Sequence, residues 1–246
     1  MSKFVLIHGG WSASWVWDRN VKALENNGEN EVICLDLVGH GTNAPERLEH
    51  VGLKDHVDYI ENEISKMDGK VILVGHSMAG MIISQVAEDM GDKIEKLVYF
   101  TAFLPHEDGQ NMIPFIELDP WTLVGPHTAI PLPNGLLKFN PRYLRNTGFN
   151  IADDETYAFA VSHLGLENPT LWGDPVHVSE KFHNVPKYYV HTLKDNCCTY
   201  YQQRCMVHDE PMIKEYYIDC DHFGMLSKAE ELNEILLDVA ANVVPE

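Results

Sequence analysis

The sequence predicts an α/β fold, in which a mostly parallel sheet of about six strands carries helices on both faces. Short runs of residues that are apolar at almost every position alternate with amphipathic helical segments over the first hundred residues. Glycine and polar residues follow where these apolar runs end. The alternation returns late in the chain, so the two outer parts are expected to build one layered core.

The predicted strands are short and rich in β-branched, aliphatic and aromatic residues. They cover residues 4–7, 31–37, 70–75, 96–103, 187–193 and 213–218. Strands that are apolar on both faces indicate a parallel sheet covered by helices on both sides. Sites in such sheets form at the carboxyl ends of the strands, so the residues that follow each strand hold most of the functional information.

The predicted helices are recognised by apolar residues that recur every three or four positions. They cover residues 15–28, 53–67 and 78–90, with a further helix near the end of the chain. Ser227 and Glu230 have the spacing of a capping box, which predicts the start of this last helix. Its apolar face is predicted to consist of Leu232, Ile235, Leu236, Val239 and Val243.

The middle of the chain breaks this rhythm. Residues 105–184 contain nine prolines and short amphipathic pieces, and no strong strand is predicted there. A segment this long is better interpreted as an insertion with its own structure than as a single loop. The predicted organisation is therefore a core formed by residues 1–104 and 185–246, with a mainly helical cap formed by residues 105–184.

Composition excludes several classes of partner. The formal net charge of −19 disfavours nucleic acids and anionic membranes, which are polyanions themselves. No apolar run approaches the roughly 20 residues that span a bilayer. An odd count of five cysteines, without an export signal, predicts reduced thiols and a cytoplasmic location. The spacing of Cys197, Cys198, Cys205 and His208 fits no usual zinc pattern, so no metal is expected.

The segment from Gly75 to Gly80 reads GHSMAG and resembles a nucleophile elbow, whose usual pattern is Gly-x-Ser-x-Gly. A buried strand precedes Ser77 and a helix follows it, as an elbow requires. The final position of the pattern is Ala79, which adds one methyl group where strand and helix approach closely. The alternative is that Ser77 is an ordinary helix N-cap. A catalytic role is favoured only if a base and an acid occur at the expected places.

A candidate base follows the last predicted strand. His222 lies in the loop between that strand and the final helix. The competing histidine is His208, which precedes the strand in an acidic, polar segment. Position therefore favours His222 as the general base.

The acid is expected after the preceding strand. Asp195 follows strand 187–193, which gives the chain order Ser, Asp, His that this type of fold uses. Asp221 is adjacent to His222, and consecutive side chains rarely face each other. Asp108 follows strand 96–103 and remains the topological alternative to Asp195.

An oxyanion hole requires two backbone N–H groups that already point at the developing negative charge. One should come from Met78, directly after the nucleophile. The other is predicted in the loop after the first strand, where His8, Gly9 and Gly10 give an exposed backbone, and Gly10 is the best candidate. A simple strand-ending turn is the alternative explanation for the two glycines.

The segments FVLIHGGW, LDLVGHGTN, VILVGHSMAG, LVYFTAFLP and CDHFGMLSKAEEL together identify a resemblance. The chain resembles the compact branch of the α/β-hydrolases that contains plant methylesterases, salicylate-binding esterases, hydroxynitrile lyases and related bacterial esterases. The resemblance implies a cofactor-free enzyme with a mostly helical cap over a buried apolar pocket. By motif, Ser77, Asp195 and His222 match the catalytic triad of this branch, and Gly10 and Met78 match its oxyanion donors.

Two positions bear on the type of reaction. In the lyases of this branch, a threonine follows the first-strand histidine and a lysine follows the catalytic histidine. This chain has Gly9 and Phe223 at those places, as expected of an esterase. The expected function is therefore that of a serine esterase, which hydrolyses a small ester. A second copy of the chain, in a homodimer, is the one protein partner considered. A lactonase, a carbon–carbon bond hydrolase or lyase, and a ligand receptor without catalysis are the alternatives.

Aromatic and methionine residues of the predicted cap suggest an apolar or aryl ester as the substrate. These residues are Met112, Trp121, Phe139 and Trp172. Such residues serve equally well as the internal core of a cap, and the sequence does not choose between the two roles for any of them.

Overall fold

The computed structural model describes residues 1–25, 28–43 and 45–242, and these form a six-stranded parallel sheet between two layers of helices. Its strands are β1 (Lys3–Ile7), β2 (Glu31–Leu35), β3 (Val71–His76), β4 (Ile94–Phe100), β8 (Lys187–Thr192) and β9 (Lys214–Ile218). The sheet order is β2-β1-β3-β4-β8-β9, and every neighbouring pair is parallel. The predicted fold class is confirmed.

Helices cover both faces of the sheet and fill the region between β4 and β8. In chain order they are α1 (Asp18–Glu25), α2 (Leu53–Ser65), α3 (Ala79–Met90), α4 (Ile113–Leu118), α5 (Pro141–Gly148), α6 (Asp154–His163), α7 (Thr170–Gly173), α8 (Glu180–His183), α9 (Tyr200–His208), α10 (Gly224–Ser227) and α11 (Ala229–Ala241). In this described part of the chain, no helix has the length and apolar character needed to cross a membrane.

Side-chain alternation along the strands divides the core into two layers. In β1, Val5 and Ile7 contact the layer that contains α2 and α3, whereas Phe4 and Leu6 contact the layer that contains α1 and α11. All four side chains are fully buried. This strand has no polar face from Phe4 to Ile7, which explains why its sequence is apolar at each of these positions.

The region between β4 and β8 contains a small sheet that the sequence did not predict. Strands β5 (Ala129–Pro131), β6 (Leu137–Phe139) and β7 (Leu166–Glu167) form an antiparallel sheet in that order. Strands of two or three residues are too short to produce a recognisable alternation, and proline closes β5. The expectation that residues 105–184 contain no strong strand therefore missed this sheet.

The predicted capping box at the start of the last helix is wrong. Ser227 ends the short helix α10, and its hydroxyl donates to Asp221 Oδ1 at 2.8 Å instead of accepting from the backbone. Helix α11 begins after Lys228, which provides no side-chain cap. Leu232, Leu236 and Val239 are buried as predicted, whereas Val243 lies outside the described residues.

Candidate active site

Ser77 lies in a strained turn between β3 and α3. Its φ angle is +55°, in the left-handed region that residues with a side chain seldom occupy. The Ser77 carbonyl accepts hydrogen bonds from Gly80 N and Phe103 N, both at 3.0 Å, which fix the turn. Backbone strain of this kind persists only where the surroundings hold it, and it is concentrated at functional sites.

The close approach that an elbow requires falls on two glycines that flank the serine. A Cβ atom on Gly80 would overlap the carbonyl oxygen of Phe103, a backbone atom that cannot move independently. A Cβ on Gly75 would come within 3.1 Å of the Ala79 backbone. Ala79 is itself fully buried, so its methyl group fits at this crossing and the extra residue before Gly80 does not prevent the turn.

His222 bridges Ser77 and Asp195. Its Nε2 lies 3.0 Å from Ser77 Oγ, and its Nδ1 lies 2.7 Å from Asp195 Oδ2. A carboxylate only accepts hydrogen bonds, so Nδ1 carries the proton and Nε2 is left as the acceptor for the serine hydroxyl. Burial alone would lower the pKa of His222, but the Asp195 carboxylate outweighs burial and raises this pKa well above the usual histidine value.

Asp195 is held by hydrogen bonds on both carboxylate oxygens. Oδ1 accepts from the backbone amides of Cys197 at 2.7 Å and Cys198 at 3.0 Å. Oδ2 accepts from the hydroxyls of Thr101 at 2.6 Å and Thr192 at 3.0 Å, in addition to His222. The orientation of the acid is therefore determined by five donors, which a catalytic group needs because misplacement by 1 Å is costly.

The other acids and the other histidine considered from the sequence lie elsewhere. Asp108 is about two-thirds exposed, where it pairs with His177 at 3.0 Å. Asp221 is fully buried, but its carboxylate accepts from the backbone amides 151 and 152 and does not face the imidazole of His222. His208 is exposed at the end of α9.

The loop after β1 is fixed by hydrogen bonds to one carbonyl group. The Gly9 carbonyl accepts from His8 Nδ1 at 2.7 Å and from Ser12 Oγ at 2.9 Å. In a planar trans peptide the C=O and the following N–H point in opposite directions, so these bonds also aim the amide of Gly10. Within the described residues, the amides of Gly10 and Met78 donate to no protein acceptor.

The His8 ring is held neutral by its surroundings. Burial and the nearby His40 lower the pKa of His8 to about 3. Its Nδ1–H donates to the Gly9 carbonyl and its Nε2 accepts from the amide of Leu37 at 3.0 Å. The first-strand histidine thus ties the candidate oxyanion loop to the end of β2.

Residues 4–235 match the alpha/beta hydrolase family. The chain belongs to the α/β-hydrolase family. It is 29% identical over 250 residues to methylesterase 7 of Arabidopsis thaliana, covering 97% of this chain and 96% of that protein.

Solved structures agree with this assignment. Polyneuridine aldehyde esterase superposes with a TM-score of 0.84 and 25% identity, covering 98% of this chain and 99% of that one. Tomato methylketone synthase I has a TM-score of 0.83 at 22% identity, with 98% of both chains covered, which shows a shared fold. The predicted resemblance to the plant methylesterase branch is confirmed, and these relatives support the predicted enzyme class, a carboxylic ester hydrolase.

A small cavity adjoins Ser77 and His222 in this α/β-hydrolase. Its volume of about 30 Å³ has room for one or two water molecules. Its lining is mostly apolar and includes Trp11, Phe139, Leu144, Leu164, Cys197 and Phe223. Larger surface clefts occur, such as one of about 550 Å³ beside residues 181–186, but they lie away from the serine.

The four cap residues proposed from the sequence have different environments. Phe139 lines the cavity, which is the first of the two roles considered for these residues, a pocket wall or an internal core. Trp172 packs against Trp11 with ring centroids 5.6 Å apart, and Met112 is buried in the core. Trp121 is 69% exposed, so it fits neither a pocket wall nor a cap core.

Two departures from the lyase pattern have structural consequences. A Cβ on Gly9 would lie 2.8 Å from both Ser77 Cβ and His76 Nδ1, so a threonine does not fit here without displacing the serine. Phe223 stacks on Phe149 with ring centroids 4.2 Å apart, inside an apolar wall. A lysine at this position would bury an ammonium group among aromatic rings.

All five cysteines are free thiols, and Cys197 lines the cavity next to His222. Among the residues that the structure describes, no group of three or more His, Cys, Asp and Glu side chains is arranged to hold a metal ion.

Sequence reasoning missed the residues that hold the site together. His76 donates from Nε2 to the backbone carbonyl of His222 at 2.9 Å and so anchors the loop of the candidate base. Thr101 has a φ angle of +40° and donates to Asp195. A signal for Thr101 did exist, because it directly follows β4 at the functional edge of the sheet.

Proposed function

We propose that this chain is a serine esterase that hydrolyses a small, apolar or aryl carboxylic ester through an acyl-enzyme. The observation that carries the proposal is the continuous hydrogen-bonded series from Ser77 Oγ through His222 to Asp195, with distances of 3.0 and 2.7 Å. A serine hydroxyl becomes nucleophilic when a base of this kind can take its proton. The left-handed turn at Ser77 and the relatives named as methylesterases support the same reaction.

The proposed reaction has two halves. His222 accepts the Ser77 proton while Ser77 Oγ attacks the ester carbonyl, and the amides of Gly10 and Met78 stabilise the oxyanion. The protonated His222 then donates to the leaving alcohol, which departs and leaves an acyl group on Ser77. In the second half His222 activates a water molecule, which releases the acid and restores the serine. Asp195 fixes the tautomer of His222 and stabilises its positive charge in both halves.

Residues 105–184 are proposed to act as the cap of this enzyme. The apolar wall from Phe139, Leu144 and Phe223 favours an apolar acyl or aryl group over a charged one. The cavity beside Ser77 is small, at about 30 Å³, which favours a small ester. Methyl esters are the first substrates to test, since the similar proteins are named methylesterases.

Cyanohydrin cleavage is the less favoured alternative. The polar and cationic groups expected for it are replaced by Gly9 and Phe223, and neither position tolerates them without rearrangement. Cyanide release from mandelonitrile above the uncatalysed rate would contradict this assignment.

The proposal is tested with p-nitrophenyl acetate and butyrate and with a fluorophosphonate probe. We expect turnover of both esters and a covalent adduct on Ser77, located by peptide mass spectrometry. Ser77→Ala should abolish the adduct and lower kcat by about 10⁴-fold or more, because the nucleophile is removed. The matched control is Ser65→Ala, an exposed serine of α2, which should keep full activity. Equal activity in Ser77→Ala would exclude the mechanism.

A further inference from the structure

Glu167 is a buried carboxylate that the mechanism above does not use. It lies in β7 and is 1% exposed. Its Oε2 accepts from the backbone amide of Trp11 at 3.0 Å, and its Oε1 accepts from the amide of Asn168 at 2.9 Å. A buried carboxylate is costly unless it is paired and hydrogen-bonded, so its place beside the candidate oxyanion loop calls for an explanation.

The partner of Glu167 is a charged histidine. His40 is 3% exposed, with Nε2 lying 3.3 Å from Glu167 Oε2 and Nδ1 lying 3.2 Å from the Val38 carbonyl. Both neighbours are acceptors, so both ring nitrogens carry protons and His40 is an imidazolium. Burial would lower the pKa of His40, but Glu167 outweighs burial and raises it. The positive charge compensates the carboxylate, which would otherwise oppose a developing oxyanion nearby.

Glu167 contacts the loop at Trp11, where the backbone adopts a left-handed conformation. Trp11 has a φ angle of +57°, in the left-handed region. A Cβ atom added to Gly10 would lie 3.1 Å from Glu167 Oε2, so the carboxylate lies directly against the candidate donor. The peptide between Gly10 and Trp11 is therefore fixed by Glu167, while the preceding peptide is fixed by bonds to the Gly9 carbonyl.

Residues in and next to this small sheet bond Trp11 at two further atoms. Gly165 N donates to the Trp11 carbonyl at 2.7 Å, and the Trp11 indole N–H donates to the Leu137 carbonyl at 3.2 Å. Leu137 and Glu167 are paired across β6 and β7. The loop after β1 is thus bonded at its amide, its carbonyl and its side chain to residues of the region between β4 and β8.

We propose that Glu167, paired with His40, is a positioning residue that holds the Gly10 amide in its oxyanion-binding orientation. The inference rests on the proposed esterase function. It means that the donor geometry is complete only while β6 and β7 are docked on the loop. Glu167 acts through the backbone of Trp11 and does not touch the substrate.

The test separates transition-state binding from ground-state binding. In Glu167→Leu, which has similar volume but no acceptor, kcat for p-nitrophenyl acetate should fall by about 100-fold with KM within about threefold, because an oxyanion donor is misaligned. The Ki of an aryl trifluoromethyl ketone, whose adduct with Ser77 carries an oxyanion, should rise by a similar factor. Glu167→Gln keeps an oxygen for the Trp11 amide and should recover most of both losses.

The control is Asn168→Ala, the next residue in the chain. The Asn168 side chain donates to the carbonyls of Leu48 and Val51 and has no contact with the loop. It should lose stability to urea without a change in Ki. Wild-type turnover with an unchanged kcat and Ki in Glu167→Leu would overturn the inference and leave the esterase proposal intact. A wild-type protein without turnover and without labelling at Ser77 would overturn both.

Discussion

Ala79 and Gly80 follow the candidate nucleophile, and the structure makes different demands on each. The backbone of Phe103 leaves no room for a side chain at residue 80, whereas residue 79 accommodates a methyl group in a fully buried position. The glycine that the elbow needs after the serine is therefore Gly80, one residue later than in the usual pattern. The motif departs from the usual pattern because residue 80, and not residue 79, lies against the backbone of Phe103.

Substitutions at these two residues should consequently differ in severity. Gly80→Ala should lower the free energy of unfolding by more than about 3 kcal/mol or prevent folding, because a backbone carbonyl must be displaced. Ala79→Gly should cost about 1–2 kcal/mol, from one buried methyl group and the helix preference of alanine, and should keep most activity. Urea unfolding and p-nitrophenyl acetate turnover measure both effects. The packing argument fails if Gly80→Ala is the milder change.

The pairing of Asp195 with His222 predicts a pH dependence. His222 must be neutral to accept the serine proton, so kcat/KM rises with pH as this residue deprotonates. Because Asp195 raises the pKa of His222 above its usual value of about 6.5, the acidic limb of the profile should lie above pH 6.5.

Asp195→Asn tests the sign of this effect. Burial then acts on the imidazole without the opposing carboxylate, so the limb should move to lower pH while kcat falls by about 10³- to 10⁴-fold. The comparison is Asp221→Asn, which should leave the position of the limb unchanged. A limb that stays in place in Asp195→Asn would show that another group controls the profile.

Candidate roles could be predicted for residues whose place is determined by the order of strands and helices along the chain. Ser77, Asp195 and His222 each follow a strand, so their candidate roles could be assigned from chain order alone. Whether they act in catalysis stays a prediction. His76 and Thr101 were not assigned roles, because each bonds to a partner more than 90 residues away. The position of Thr101 directly after β4 places it at the functional edge of the sheet, but no local pattern names the partner of either residue.

At the scale of elements, the loop after β9 is joined to the segment that precedes α6. The two Asp221 carboxylate oxygens accept from the amides of Ile151 and Ala152 and from the hydroxyl of Ser227. The loop that holds His222 is therefore bonded both to the region between β4 and β8 and to α10. This is also why the capping box failed, since the serine hydroxyl is occupied by Asp221.

Removal of the Asp221 carboxylate should lower the stability of the protein. Asp221→Ala leaves the buried amide of Ala152 and the half-buried amide of Ile151 without acceptors and should lower the free energy of unfolding by about 3 kcal/mol. The matched control is Asp219→Ala, two residues earlier, where the side chain is 61% exposed and pairs with Lys194 at 2.7 Å. An exposed ion pair contributes little, so this change should stay within about 0.5 kcal/mol. Equal losses in urea unfolding would show that Asp221 does not serve as the connection.

Helices and strands with a clear pattern of apolar residues were predictable, and elements too short to show such a pattern were not. The six strands of the main sheet were predicted to within a few residues, because the central strands are apolar on both faces and the edge strands β2 and β9 are rich in β-branched, aromatic or aliphatic residues. Strands β5, β6 and β7 have at most three residues, and their formation depends on docking against Trp11 and on each other. Local sequence carries no information about that docking.

At the scale of the whole molecule, the candidate site is a small cavity between two parts of the chain that are separate in sequence. Ser77 and His222 come from the parallel sheet, whereas Phe139 and Leu144 come from the region between β4 and β8. We therefore expect side chains of that region to set the size of substrate that is accepted, and residues of the sheet to carry the chemistry. Substitutions in the two parts should change different kinetic quantities.

Leu144→Ala isolates the contribution of this wall. Leu144 is 4% exposed and faces the cavity, so truncation makes room for about two more methylene groups of the ester, at about 0.8 kcal/mol each. The ratio of kcat/KM for p-nitrophenyl hexanoate to that for the acetate should then rise by about 15-fold. Leu232→Ala removes the same atoms from a fully buried position in α11 and should cost similar stability. Because Leu232 does not line the cavity, its variant should keep the wild-type ratio, and a ratio that rises equally in both variants would mean that looser packing alone admits the longer ester.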